Sequence, residues 1–197
     1  PEVPGALEVM QLAAQHKVIM GIAHSRAKYD DIELSIDNGL TQVTHIFNAM
    51  NPLHHREPGV IAGALLKREL KVHLIADCVH VHPAVMKLLY KLKGPGGILL
   101  ITDAVSGSGC DDGEYEMAGK KVNMKRGRVY MKDGTLAGST ITLEKAVKNM
   151  VEKVDVPVHE AVRMASLNPA RVLGVDHRKG VLAVGRDADI VVLNRDF

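Results

Sequence analysis

The chain has 197 residues, 46% of them hydrophobic, which is enough to bury a sizeable core in one domain with a small appendage. A formal charge of +2, with 24% charged residues and no long run of one sign, argues against nucleic acid or an anionic membrane surface as partner. Two cysteines, Cys78 and Cys110, are too few for a disulfide framework and suit a reducing cytoplasm, as small buried hydrophobes or as free thiols.

No stretch has the length of a membrane span, and no basic-then-apolar leader opens the chain. Pro1 is not an initiator methionine, and Gly5 to Gln15 already reads as a helix feeding a strand, so the sequence is expected to begin in mid-fold. Lys17–His24 follows as an apolar strand, then a polar helix over Tyr29–Asn38 closed by Gly39, a residue favoured just past a helix end. Thr41–Phe47 reads as the next strand. The turn-rich loop NPLHHREPG leads into a helix over Val60–Arg68. Strand Lys71–Ala76, helix Pro83–Leu92 and strand Gly97–Thr102 continue the alternation, which predicts a parallel sheet with right-handed crossovers.

Past Asp103 the texture changes. Residues 106–136 are rich in glycine and short alternating runs, and predict a β-hairpin or meander on the rim of the sheet. Helices over Leu143–Lys153 and Val158–Ser166 come next, the second running into a turn at Asn168-Pro169. The tail gives a glycine-bounded apolar strand over Ala188–Leu193, expected to lie beyond the main domain.

Four strands run straight into groups able to bind metal, phosphate or a proton: His24, His45, Asp77 with His80, and Asp103. In an α/β barrel chemistry sits where parallel strands end, so these tips are expected to converge on one site. His24 and His45 suit a metal pair on adjacent strands, although a chain with ten histidines also has structural and surface ones. A carboxylate closing the apolar run before Asp103 needs a cation, water or substrate, unless it caps a helix. His80 is either a donor to substrate or a satisfied loop histidine. Asn48-Ala49 and Arg56 form a plausible anion site, with Arg56 as an ordinary surface cation the alternative. His54 and His55 read as solvated, because tandem neighbours seldom face one metal.

Taken together, HSRAKYDD, THIFNAMNPLHHREPG, IADCVHVHP, LLITDAVSG, DGTLAGSTITLEKAV, ASLNPARVLG and GVLAVGRDADIVVLN resemble, in order and spacing, the N-acetylglucosamine-6-phosphate deacetylases of the amidohydrolase superfamily. The resemblance implies a metal-dependent hydrolase on a (β/α)8 TIM-type barrel with a small β-sandwich, giving glucosamine 6-phosphate and acetate. It implies His24 and His45 as metal ligands, Asp103 as catalytic acid/base, and substrate contacts at Asn48, Ala49, Arg56, the Asp77, Cys78, Val79, His80 turn, and the backbone of Leu136, Ala137 and Gly138. One divalent metal is expected, with zinc, iron, cobalt and manganese all suited to such ligands. The family's further metal-ligating glutamate and a substrate histidine have no counterpart here. The chain therefore resembles a C-terminal portion, with residues 1–180 in the second half of a barrel that needs about 250 residues and 181–197 in the sandwich. A cytoplasmic enzyme, homodimeric at full length and acting on a small sugar phosphate, is the expectation. Two alternatives stay open: another amidohydrolase acting on a cyclic amide or purine, and a non-catalytic sugar-phosphate binding fragment.

Overall fold

The computed structural model describes residues 1–117 and 119–194. Its packing divides into two compact units, Pro1–Leu74 with Lys87–Leu99, and Ile75–Met86 with Leu100–Phe197.

The first unit is built on parallel strands and the helices between them. Helix α1 (Ala6–Gln15) leads to β1 (Met20–Ile22), α2 (Tyr29–Asp37) to β2 (Leu40–Val43), and α3 (Gly59–Leu66) to β3 (Lys71–Ile75). Then α4 (Pro83–Lys93) leads to β4 (Ile98–Ile101), and the sheet order is β1-β2-β3-β4. β1 pairs β2 and β2 pairs β3 in parallel, Val43 lying opposite Val72. Val43, Val72, Leu74 and Ile98 are fully buried, as expected of β-branched and aliphatic residues in a sheet covered on both faces. The predicted order of elements is therefore present, with shorter strands. Lys17–His24 contracts to Met20–Ile22, because Val18 and Ile19 are exposed and His24 turns into the left-handed region at φ 47°. Thr41–Phe47 likewise stops at Val43, before His45 at φ 31° and Phe47 at φ 77°. Neither residue can extend a ladder from such a backbone.

α3 is apolar on every side, and its closest neighbour explains its glycine. A Cβ on Gly63 would sit 2.7 Å from Ile32 Cγ2 on α2, so only glycine allows these helices to approach as they do.

The second unit carries a three-stranded antiparallel meander, β5 (Gly113–Met117), β6 (Lys120–Lys125) and β7 (Arg128–Met131), as the alternating runs predict. Val122, Met124, Val129 and Ala137 form its own small core. Arg126 and Gly127 join β6 to β7 with φ 53° and 68°, the paired positive values of a turn whose twist matches the strands. Helix α5 (Leu143–Val154) is capped by Thr142, whose Oγ1 accepts from Lys145 N at 3.2 Å, and buries Ala146, Val147, Met150 and Val154 along one face.

Two expectations fail here. Asn168-Pro169 is not a turn but lies in helix α7 (Leu167–Val172), directly after α6 (Val158–Ala165). Proline is tolerated there because a first-turn residue has no intrahelical acceptor for its N–H. Ala188–Leu193 is not a strand either: it makes no ladder among the described residues, and Val191 and Val192 are 81% and 89% exposed. Apolar β-branched residues favour strands only when a partner supplies the ladder and a surface to pack on. The segment is tied down at its start, where Lys179 and Arg178 pair with Asp187 and Lys179 also meets Asp189. Residues 195–197 of the expected sandwich segment lie outside the described residues.

Candidate functional site

Strand ends place the candidate residues, and the backbone there is unusual. Nine described non-glycine residues have positive φ, and five of them are His24, His45, Ala49, Cys78 and Asp103. Each such residue costs on the order of 1–3 kcal/mol, and strain of this kind collects where function demands it.

In the first unit, His24 and His45 come together. Their Nε2 atoms are 3.0 Å apart and their rings tilt by 35° with centroids 4.8 Å apart. Two imidazole nitrogens sharing one tetrahedral ion at about 2.0–2.1 Å each lie about 3.3–3.4 Å from one another, closing to about 3.0 Å when the angle at the ion narrows to about 95°. The observed spacing fits that requirement, and it also fits a direct hydrogen bond in which one ring donates. His45 is buried, yet its Nδ1 has no hydrogen-bond partner among the described residues, so the ring lacks the second contact that normally fixes the orientation of a ligating histidine. No group of three His, Cys, Asp or Glu able to hold an ion occurs among the described residues. As metal ligands the pair would supply two of the three usual in a catalytic centre.

Around this pair the chain adds support. His73, on β3, is pushed down by burial first and then by its electrostatic interaction with His45, so it favours its neutral form. Neither sequence spacing nor motif singled it out. Asn48 donates from Nδ2 to the carbonyls of His45 and Ile46, both at 3.2 Å. Its amide hydrogens thus hold the turn that carries His45, leaving Oδ1 for any ligand. Ala49 follows at φ 52°, exposed. Arg56 is exposed in its loop, with Nη1 2.8 Å from His55 Nε2, and the rings of His54 and His55 lie 4.4 Å apart. His55 is therefore not simply solvated: it contacts the guanidinium.

In the second unit, Asp77, Cys78, Val79 and His80 form one tight turn. Asp77 Oδ1 accepts from the backbone N–H of Val79 and of His80, each at 2.8 Å, and Oδ2 accepts from His80 Nδ1 at 2.6 Å. Burial alone would raise the Asp77 carboxyl, but the imidazole and the two backbone donors outweigh it and hold the group below the ordinary carboxylate range. Burial, then the Asp77 charge, pushes the half-buried Cys78 thiol up, which makes it a poor nucleophile. The carbonyl just before this turn, Ala76 O, accepts from the buried Asn149 Nδ2 of α5 at 2.8 Å.

Asp103 sits apart from that turn's hydrogen bonds. It is exposed, its carboxylate has no partner among the described residues, and no helix follows it, which removes the capping alternative and the desolvation argument together. Its backbone is gripped by Ser139: Ser139 N donates to Asp103 O at 2.8 Å, Ser139 Oγ donates to Thr102 O, and Val105 N donates to Ser139 O at 2.9 Å. A Cβ on Gly138 would meet Asp103 O at 2.9 Å and Val105 Cγ1 at 2.7 Å, so Leu136–Gly138 lies hard against this strand end. Ser139 and Asn149 were not singled out in the sequence.

The pattern of the amidohydrolase family matches residues 3–197, and the chain belongs to that family. Among its relatives, an N-acetylglucosamine-6-phosphate deacetylase of Lysinibacillus sphaericus is 38% identical over 98% of this chain and 50% of that protein. A putative N-acetylgalactosamine-6-phosphate deacetylase of Escherichia coli K12 is 46% identical over 76% of this chain and 89% of that protein. A solved structure of an aspartate-to-alanine mutant of N-acetyl-D-glucosamine-6-phosphate deacetylase from Mycobacterium smegmatis, in complex with N-acetyl-D-glucosamine 6-phosphate, superposes with a TM-score of 0.95 at 36% identity, covering all of this chain and 52% of that one. The chain spans about half the length of the N-acetylglucosamine-6-phosphate deacetylases it matches.

Proposed function

We propose that the chain contributes to the metal-dependent hydrolysis of the acetamide of N-acetyl-D-glucosamine 6-phosphate, giving D-glucosamine 6-phosphate and acetate. The observation that carries this reading is the pair of strand-end imidazoles with Nε2 atoms 3.0 Å apart, in a chain whose relatives bear that activity in their names. The fold reading that goes with it is the second half of a (β/α)8 barrel, with the segment Ala188–Leu193, which makes no ladder among the described residues, belonging to a small sandwich.

His24 and His45 would hold one divalent ion, zinc, iron, cobalt or manganese, which when bound supplies Lewis-acid polarisation and a water ionisable near neutral pH. Asp103 takes the proton of the attacking water and returns it to the amine nitrogen, which is too basic to leave unprotonated. Its bare, exposed carboxylate suits that task. Arg56 and the Asn48-Ala49 turn hold the 6-phosphate, so a remote group positions the acetamide. His80 orients the sugar. The partner is thus a small sugar phosphate, with a cytoplasmic homodimer as the expected assembly. No helix among the described residues is long and apolar enough to cross a membrane.

A second reading concerns the sugar. The greater identity to a putative N-acetylgalactosamine-6-phosphate deacetylase favours the C4 epimer as an alternative substrate of the same chemistry. Acetate release by the full-length protein from both 6-phosphates and from free N-acetylglucosamine tests both readings. Turnover of a 6-phosphate with little of the free sugar is expected. Asp103→Asn should lower turnover by about 10²–10⁴-fold, the usual contribution of a general acid/base, while leaving metal content intact. Activity within a few-fold of wild type would remove Asp103 from this role.

A further inference from the structure

The Asp77–His80 turn carries more than its geometry first suggests. Both side chains are nearly buried, at 12% and 7% exposure, and among the described residues the hydrogen bonds of the Asp77 carboxylate all lie within its own turn. Oδ1 is occupied by two backbone donors and Oδ2 by the imidazole Nδ1. An ionised carboxylate only accepts hydrogen bonds, so the Nδ1 facing it must carry the proton. Which ring nitrogen is protonated is set by the hydrogen bond the other makes.

We propose that Asp77 is a positioning residue that locks His80 in its Nδ1–H form, so that the ring presents a bare Nε2 acceptor to a sugar hydroxyl. This rests on the reading of the chain as an amino-sugar phosphate deacetylase, and it changes what Asp77 does in that reading. Asp77 acts on substrate through His80. The left-handed backbone of Cys78, at φ 63°, folds the chain back so that one carboxylate reaches both N–H groups and the ring. Asn149 fixes the carbonyl that precedes the turn.

The substitution Asp77→Asn separates this role from simple support. An asparagine amide must keep its oxygen toward the Val79 and His80 N–H groups, because turning it would set an NH2 against two donors. Its NH2 then faces His80 Nδ1, which can only accept. The turn survives and the tautomer reverses to Nε2–H, placing a donor where the sugar hydroxyl also donates. A comparable Asp→Asn change beside a catalytic histidine in the serine-protease triad leaves geometry intact and costs about 10⁴-fold through the wrong tautomer.

The test uses the full-length protein with ¹⁵N-labelled histidine, the His80 signals being assigned by their disappearance in His80→Gln. Wild type should show His80 as the Nδ1–H tautomer, and Asp77→Asn as Nε2–H, with turnover reduced by about 5–150-fold, the cost of one mispaired buried hydrogen bond, and the circular dichroism unchanged. An Nε2–H tautomer in wild type would overturn the proposal without any variant having to fold. So would an Asp77→Asn protein that keeps Nδ1–H, or one that reverses the tautomer and still turns over within about threefold of wild type. If His80→Gln itself left turnover unchanged, the fault would lie with His80 as a substrate contact, while the tautomer measurement would still decide what Asp77 does to the ring.

Discussion

His24–His45 and Asp77–His80 are both side-chain pairs at strand tips, and they are built in opposite ways. The first points two nitrogens at each other across 3.0 Å and leaves His45 Nδ1 buried without a partner among the described residues. The second closes every polar atom of Asp77 onto its own turn. Buried polar groups are normally satisfied, so the first pair leaves open what its histidine binds. A saturated turn does the reverse, fixing in advance which atom its histidine offers. Among the described residues, one pair leaves a buried nitrogen unsatisfied; the other satisfies both oxygens of its carboxylate.

The sharpest way to break that comparison is to remove a member of the open pair. His45→Ala should lower divalent-metal affinity of the full-length protein by at least about 100-fold, beyond the 10–100-fold typical of losing an outer-shell partner. Equilibrium dialysis measures this. Stoichiometric metal at unchanged affinity would mean that the 3.0 Å approach is only a hydrogen bond between rings.

Next comes the closed turn's support. Asn149→Leu keeps the volume of α5 but leaves Ala76 O without its donor, an unpaired buried carbonyl worth about 1–3 kcal/mol of stability. Denaturant unfolding should show that loss, and a neutral result would mean that the turn before Asp77 holds itself without α5.

The smallest expected effect belongs to a group that is hydrogen-bonded and still uncomfortable. Lys93 Nζ donates to Lys67 O at 2.7 Å. Burial first, then repulsion from Lys71 against attraction to Glu69, lowers its ammonium from 10.5 to about 8. Between those values the unfolded chain binds more protons than the folded one, so stability rises as pH increases through the window. Lys93→Met should abolish that rise in the denaturation midpoint. If the slope persists, satisfied hydrogen bonding has masked no electrostatic cost at this position.

Much of the first unit was legible because its strands and helices follow local rules. Val43, Val72 and Leu74 announce a covered parallel sheet, and Gly39 announces the end of α2. The tips were legible as chemistry, since a polar residue ending an apolar run stands out. What stayed hidden depends on distance in sequence. Asn149 reaches Ala76 across 73 positions and Ser139 reaches Thr102 across 37, and no window of local pattern contains both partners. The positive φ of His24, His45 and Asp103 was hidden for another reason, because even histidine and aspartate, which visit it more than most, adopt it in a small minority of cases that residue type alone does not pick out. Pro169 misled because a first-turn proline and a turn proline look alike in sequence. Ala188–Leu193 misled because strand propensity does not name a partner.

That last segment has a consequence for handling the protein. Ile190–Leu193 is a run of four aliphatic residues with its backbone outside any ladder, the kind of stretch onto which copies of itself can stack. Asp187 and Asp189 lie just upstream, where like charges would repel a growing stack, but Lys179 and Arg178 neutralise them. The ion pairs that tie the segment down therefore also disarm its gatekeepers. Aggregation at high protein concentration should start at Ile190–Leu193.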